Sequence, residues 1–96
     1  MRLRARVDRN QAEIVKALRA VGCSVQSLAA VGKGCPDILV GVRGVNILME
    51  IKDGKAKDKR QHQLTPDEER WHREWNGQRE VVKSVEEALA VVSRVP

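Results

Sequence analysis

Two carboxylates and an amine recur in the stretch from Gly34 to Lys52, which opens with Gly34-Cys35-Pro36-Asp37 and closes with Glu50-Ile51-Lys52. Pro36 disfavours helix for Cys35 and fixes the start of a following strand, so Asp37 projects from a rigid strand end. If the strands on either side of the Gly41 to Val45 turn pair as a hairpin, Asp37 comes close to Glu50 and Lys52. Hard oxygen donors of this kind suit Mg²⁺ or Mn²⁺, whose remaining positions stay with water and substrate phosphate. The chemistry that fits is metal-assisted phosphodiester hydrolysis. The ion would withdraw charge from a phosphoryl oxygen and acidify its water, while Lys52 orients that water and stabilises developing negative charge. Glu13, further upstream, is another carboxylate that could serve such a site. The plainer alternative is a structural ion pair between Lys52 and Glu50, with Asp37 a turn former after Pro36.

The elements that must position these groups follow from local patterning. A helix is expected from about residue 9 to 21, capped by Asp8 with Gln11 completing a capping box. Ile14, Ala17, Leu18 and Val21 keep the i, i+3, i+4, i+7 spacing and form its buried stripe, with Glu13 on the border. Gly22 ends it. Three strands follow, Ser24 to Ala29, Asp37 to Val42 and Val45 to Lys52. The second is apolar throughout after its first residue, which suits a strand covered on both faces. The third alternates: Ile47, Met49 and Ile51 point one way, Leu48, Glu50 and Lys52 the other. Asp53 to Gln63 reads as a mobile polar loop. Thr65, Pro66 and Glu68 then supply a cap, a first helical position and a capping-box acid. Trp71 and Trp75 give that helix its expected buried face, and Asn76-Gly77 is expected to stop it with a left-handed position. Arg79 to Lys83 is a fourth strand. Ser84 and Glu87 cap a last helix that turns Val85, Ala88, Leu89 and Val92 inward. The order is αβββαβα, an α/β fold with a mixed central sheet flanked by helices.

The chain has 96 residues, enough for one compact domain spanning 1–96 and too few for two cores. Eighteen Lys and Arg against thirteen Asp and Glu leave a net charge of +5, which favours a polyanionic partner, nucleic acid first. With two Trp and no Tyr or Phe, a platform for stacking successive bases is poorly supported, so contact should fall mainly on phosphates. Arg2, Arg4, Arg6, Lys33, Lys55, Lys57, Lys59 and Arg60 are the candidates for that contact. Cys23 and Cys35 have no partner at zinc-ligand spacing and read as two buried thiols in a reducing, cytoplasmic setting. His62 and His72 read as surface residues. No apolar run approaches the roughly 18 residues a membrane span needs, and the basic start is not followed by a signal-type apolar segment.

The arrangement resembles the PD-(D/E)XK nuclease superfamily, and within it the virus-type replication-repair nuclease (VRR-NUC) branch in its stand-alone phage or bacterial form. Glu13 on the first helix, Gly34 to Asp37, Glu50-Ile51-Lys52 and Leu64-Thr65-Pro66 carry the resemblance, which spans roughly residues 8 to 92. It implies a restriction-endonuclease-like αβββαβ core with an extra C-terminal helix. It implies that Asp37, Glu50 and the backbone carbonyl of Ile51 bind Mg²⁺ or Mn²⁺, that Lys52 is the catalytic lysine and that Glu13 is an auxiliary acid. The branch often carries a Gln a few residues into the helix after its Leu-Ser/Thr-Pro signal. Here Glu68 stands there: a negative charge in place of the amide could weaken an approach to phosphate or alter metal occupancy, and the residue reads equally as only the capping-box acid, so no catalytic role is assigned to it. Stand-alone members resemble Holliday-junction resolvases, which implies a homodimer cutting four-way or otherwise branched DNA, with no small-molecule cofactor and no membrane. The competing expectation is a DNA-binding or assembly module that keeps the fold without the reaction.

Overall fold

Local chemistry sets the element ends in the computed structural model, which describes residues 10–55, 57 and 63–96. Helix α1 spans Gln11–Ala20 and buries Gln11, Ile14 and Leu18. It starts later than the sequence suggests. Asn10 occupies the N-cap position but makes no capping bond; its Nδ2 instead donates to the carbonyls of Lys52 and Lys83 at 3.1 Å each. Asp8 lies outside the described residues. At the other end the Gly22 and Cys23 N–H groups donate back to Arg19 and Leu18, closing a Schellman-type turn with Gly22 at φ 96°. Val21 is consequently outside the helix and 57% exposed, not part of the buried stripe.

Strands β1 (Ser24–Ser27), β2 (Ile38–Val42), β3 (Val45–Ile51) and β4 (Arg79–Val82) form one sheet in the order β1-β2-β3-β4. The first two pairings are antiparallel, and β3 pairs with β4 in parallel. That parallel step needs a crossover, supplied by helix α2 (Pro66–Glu74). The β2–β3 turn consists of Arg43 and Gly44, both at positive φ (47° and 82°), as a tight two-residue hairpin turn matched to strand twist requires. Its register opposes Ile38 to Met49, which brings Asp37 level with Glu50.

Helix α3 (Val85–Ser93) is capped by Ser84, whose hydroxyl accepts from the Glu87 N–H at 3.1 Å. It packs with α1 on the face of the sheet that carries Ile38, Val40, Ile47, Met49, Ile51 and Val82, all at most 1% exposed. The opposite face is only partly covered: Leu39 and Gly41 of β2 are half-buried, so that strand is not enclosed on both sides as its unbroken apolar run suggests. There α2 brings its first turn over the Glu50 and Lys52 end of β3.

Helix α2 turns a different face inward from the one expected. His72 is its buried residue, Trp71 is half-buried and Trp75 is 45% exposed. The indoles instead stack on each other, centroids 4.7 Å apart and 15° from parallel. The helix ends because Trp75 turns extended (φ −85°, ψ 123°), without the expected left-handed residue. Among the described residues no helix is long and apolar enough to cross a membrane.

Candidate active site

Asp37 stands one residue before β2, with its carbonyl fixed by the Leu28 N–H at 2.8 Å. Its carboxylate reaches across the hairpin, where Oδ2 accepts the Ile51 N–H at 2.7 Å. This pins the acid against the last residue of β3, directly before Lys52. Glu50 leaves β3 toward α2 and is 2% exposed, although its strand neighbours Met49 and Ile51 belong to the apolar core. Lys52 follows β3, and its N–H donates to Val82 at 2.9 Å, so β4 carries the ladder one residue beyond the strand.

The three side chains converge. Burial first, then a hydrogen bond with Asp37 and the charges of Asp37 and Glu68, push the Glu50 carboxyl far above the ordinary carboxylate range; Lys52 pulls weakly the other way. Lys52 Nζ lies 4.0 Å from Glu50 Oε2. Cys35 borders the pair and is half-buried, less enclosed than the sequence suggests. Burial, and then the charges of Glu50 and Asp37, raise its thiol, so it is a poor nucleophile here.

A fourth charged group enters that sequence reasoning set aside. Glu68 Oε1 accepts Lys52 Nζ at 2.7 Å, closer than the 4.0 Å to Glu50 Oε2. Burial alone would raise the Glu68 carboxyl. The hydrogen bonds from Lys52 and Thr65, the Lys52 charge and a hydrogen bond with Glu50 outweigh it and hold Glu68 below the ordinary range. The capping-box pattern is correct, since Glu68 and Thr65 bond reciprocally, but it is not the whole role of the residue. A cleft of about 190 Å³ lined by Gly34, Cys35, Asp37, Thr65 and Glu68 opens beside the cluster. A larger groove of about 510 Å³ between α1 and β1, lined by Ala12, Val15, Arg19, Val25 and Ile38, contains no carboxylate.

Among solved structures, a VRR-NUC domain superposes on this chain with a TM-score of 0.64 at 25% identity, covering 91% of this chain and 98% of that one. This chain has the VRR-NUC fold. No protein-family model matches it, and no curated protein matches it.

Within the VRR-NUC frame, the remaining described candidates are exposed surface residues. Glu13 is exposed on the first turn of α1 and makes no hydrogen bond or ion pair among the described residues. Lys33, Lys55 and Lys57 are exposed, and Lys33 holds φ 57° between two glycines. Arg2, Arg4, Arg6, Lys59 and Arg60, and His62 with them, lie outside the described residues, as does most of the expected 53–63 loop. Its first residue, Asp53, is buried and accepts the Lys55 N–H at 3.0 Å.

A divalent cation fits the donor set on one observation. Glu50 Oε1 is buried with no hydrogen-bond partner, an orphaned acceptor beside a second carboxylate. Two carboxylates with open positions left for water and phosphate match how Mg²⁺ is usually held, whereas an all-protein cage does not.

Proposed function

We propose that this chain is a metal-dependent, structure-selective DNA endonuclease that hydrolyses phosphodiester bonds in four-way or otherwise branched junctions, acting as a homodimer. The observation that carries the reading is the meeting of Asp37, Glu50 and Lys52 at the end of one hairpin in a VRR-NUC fold. Asp37, Glu50 and the Ile51 carbonyl would hold Mg²⁺ or Mn²⁺. When bound, the ion supplies charge withdrawal from a phosphoryl oxygen and acidifies water.

The chain's own groups divide the remaining work. Asp37 is held by the Ile51 N–H, so its carboxylate keeps a fixed direction beside Glu50. Glu50 is buried and holds a proton while no cation is present, and that proton must leave before the carboxylate can serve as a ligand. The Lys52 ammonium lies beside the acids, where it orients the attacking water and offsets negative charge building on phosphate. Glu13, exposed on α1, is the auxiliary acid of the proposal. A homodimer suits the reaction because paired cuts across a junction need two sites related by a two-fold axis.

The test is digestion of a synthetic immobile junction, alongside linear duplex and single strand, with Mg²⁺ or Mn²⁺. Cleavage by the wild type is expected as paired symmetric cuts in the junction. Lys52→Ala and Asp37→Ala are each expected to lower it by at least about 1,000-fold while the melting curve stays cooperative. Undiminished cleavage in both variants removes the site assignment. Tight junction binding without hydrolysis in either metal would make the chain a binding module instead.

A further inference from the structure

One oxygen of Glu68 serves two structures at once. Oε1 accepts the Thr65 N–H at 2.8 Å, which is half of the α2 capping box, and the same atom accepts Lys52 Nζ at 2.7 Å. The Glu68 N–H returns to Thr65 Oγ1 at 3.2 Å. The carboxylate is therefore held at the helix start by its own backbone neighbours and presents a fixed acceptor to the lysine. The Lys52 side chain is 9% exposed and that of Glu68 18%, so water competes little for the contact.

The helix start is in turn gauged against the other arm of the site. Gly34, at φ 84°, lies so close to α2 that a Cβ there would stand 2.4 Å from the Asp67 carbonyl oxygen and 2.9 Å from the Glu68 nitrogen. Backbone presses on backbone at this point, and neither side has a flexible group that can yield. Three residues later the same segment delivers Asp37. The first turn of α2 thus touches the acid arm through Gly34 and the lysine arm through Glu68.

The geometry points to Glu68 as a positioning residue for Lys52, which sets where the ammonium stands relative to Asp37 and Glu50. This rests on the proposed nuclease reading, which gives Lys52 its catalytic role. The requirement is for an acceptor oxygen at this place. A Gln at 68 retains that oxygen and can still close the capping box. An Ala loses both bonds, whereas Thr65→Ala removes only the hydroxyl cap and leaves the Glu68 oxygen in place.

Four variants and two readouts test it. In junction cleavage, Glu68→Ala is expected to lose about 100-fold in kcat with KM changed less than about threefold, the loss typical of a group misplaced by about 1 Å. Glu68→Gln is expected to stay within about tenfold of wild type, and Thr65→Ala within about threefold, each normalised by its melting temperature. In NMR, the Lys52 ζ-ammonium protons are expected to exchange slowly in wild type and Glu68→Gln and to be lost to fast exchange in Glu68→Ala. The inference is overturned if Glu68→Ala keeps its kcat and its slow ammonium signal, if Glu68→Gln is as impaired as Glu68→Ala, or if Thr65→Ala falls as far. Lys52→Ala separates the two failures. If it cleaves like wild type, the catalytic assignment of Lys52 falls, and if the wild type itself cleaves no junction in either metal, the nuclease reading falls. If it is inactive while Glu68→Ala is not, only the positioning role falls.

Discussion

His72 is 8% exposed, and its Nε2 is buried without a hydrogen-bond partner among the described residues. Burial first, and then the charge of Arg79, lower its imidazole below the ordinary range; Glu68 opposes this and Lys52 adds to it. The folded chain therefore holds His72 neutral, while the unfolded chain takes up a proton as pH falls through about 6.5. The unfolded state then binds more protons, so the stability this neutral imidazole permits is present above about pH 6.5 and lost below it. The melting temperature is expected to drop between about pH 7.5 and about pH 5.5, and the drop to be smaller in His72→Phe, which keeps a flat ring without the proton site. Equal drops in both proteins would rule the imidazole out as the source. His72 also marks where residue-level reading fails, because a polar type between two tryptophans gives no sign that it, and not they, faces inward. The Asp37, Glu50 and Lys52 convergence is legible for the opposite reason: Pro36 and strict two-residue alternation on β3 fix the directions before any tertiary contact is known. Glu68 escapes because the capping box already explains a Glu three residues after Thr, and its contact with Lys52 exists only once α2 has crossed over the sheet.

The β2–β3 hairpin is the element on which the site depends, and its turn spends a non-glycine residue at positive φ. Arg43 sits at φ 47°, and its guanidinium reaches the end of α3, where Nη2 donates to Val92 at 2.5 Å and Nε to Val95 at 3.0 Å. One bond goes to the Val92 carbonyl in the last turn of α3, which also accepts the Val95 N–H, and the other to the Val95 carbonyl just beyond the helix. They also tie the turn to the helix at the far end of the chain. Arg43→Ala loses the bonds and keeps the backbone strain; Arg43→Gly loses the same bonds and relieves the strain. The usual order is therefore expected to invert. The Gly variant should be the more stable of the two by about 0.5–1 kcal/mol, because relief of about 1–2 kcal/mol exceeds the extra chain entropy glycine loses on folding. Paired denaturant titrations measure it, and an Ala variant at least as stable as the Gly variant would show that the turn has relaxed. At this scale most of the fold is legible in the sequence, since periodicity and caps mark every helix and strand to within a residue or two at most ends. The start of α1 is read about two residues early, because Asp8 and Gln11 offer a capping-box pattern, whereas Asn10 takes the N-cap position and its amide holds the ends of β3 and β4 together. That use depends on where the sheet ends lie in space.

Across the whole molecule, a net charge of +5 coexists with a locally acidic site. Asp37, Glu50 and Glu68 face one ammonium, Lys52, among the groups that meet there. Lys52 is already engaged by Glu68, so without a cation the cluster offers no surplus positive charge to a phosphodiester, and binding of DNA must draw its favourable charge from outside it. The exposed cations that chain connectivity keeps near it are Lys33, one residue before the Gly34 contact with α2, and Lys55 and Lys57, just beyond Lys52. If these groups meet phosphates, each contact releases counterions and adds about 0.9 to the slope of log affinity against log salt on duplex DNA. Affinity for a junction, measured in EDTA so that no strand is cut, is expected to fall steeply as KCl rises. Lys33→Ala with Lys55→Ala is expected to make the slope shallower by about 1.8 in total while leaving the melting temperature near that of wild type. This readout separates a phosphate contact from a merely solvated lysine, since a solvated lysine contributes general attraction without a defined released ion. A response to KCl that is nearly flat in the wild type, or a slope that the double variant leaves unchanged, would place the DNA-facing surface elsewhere on the chain.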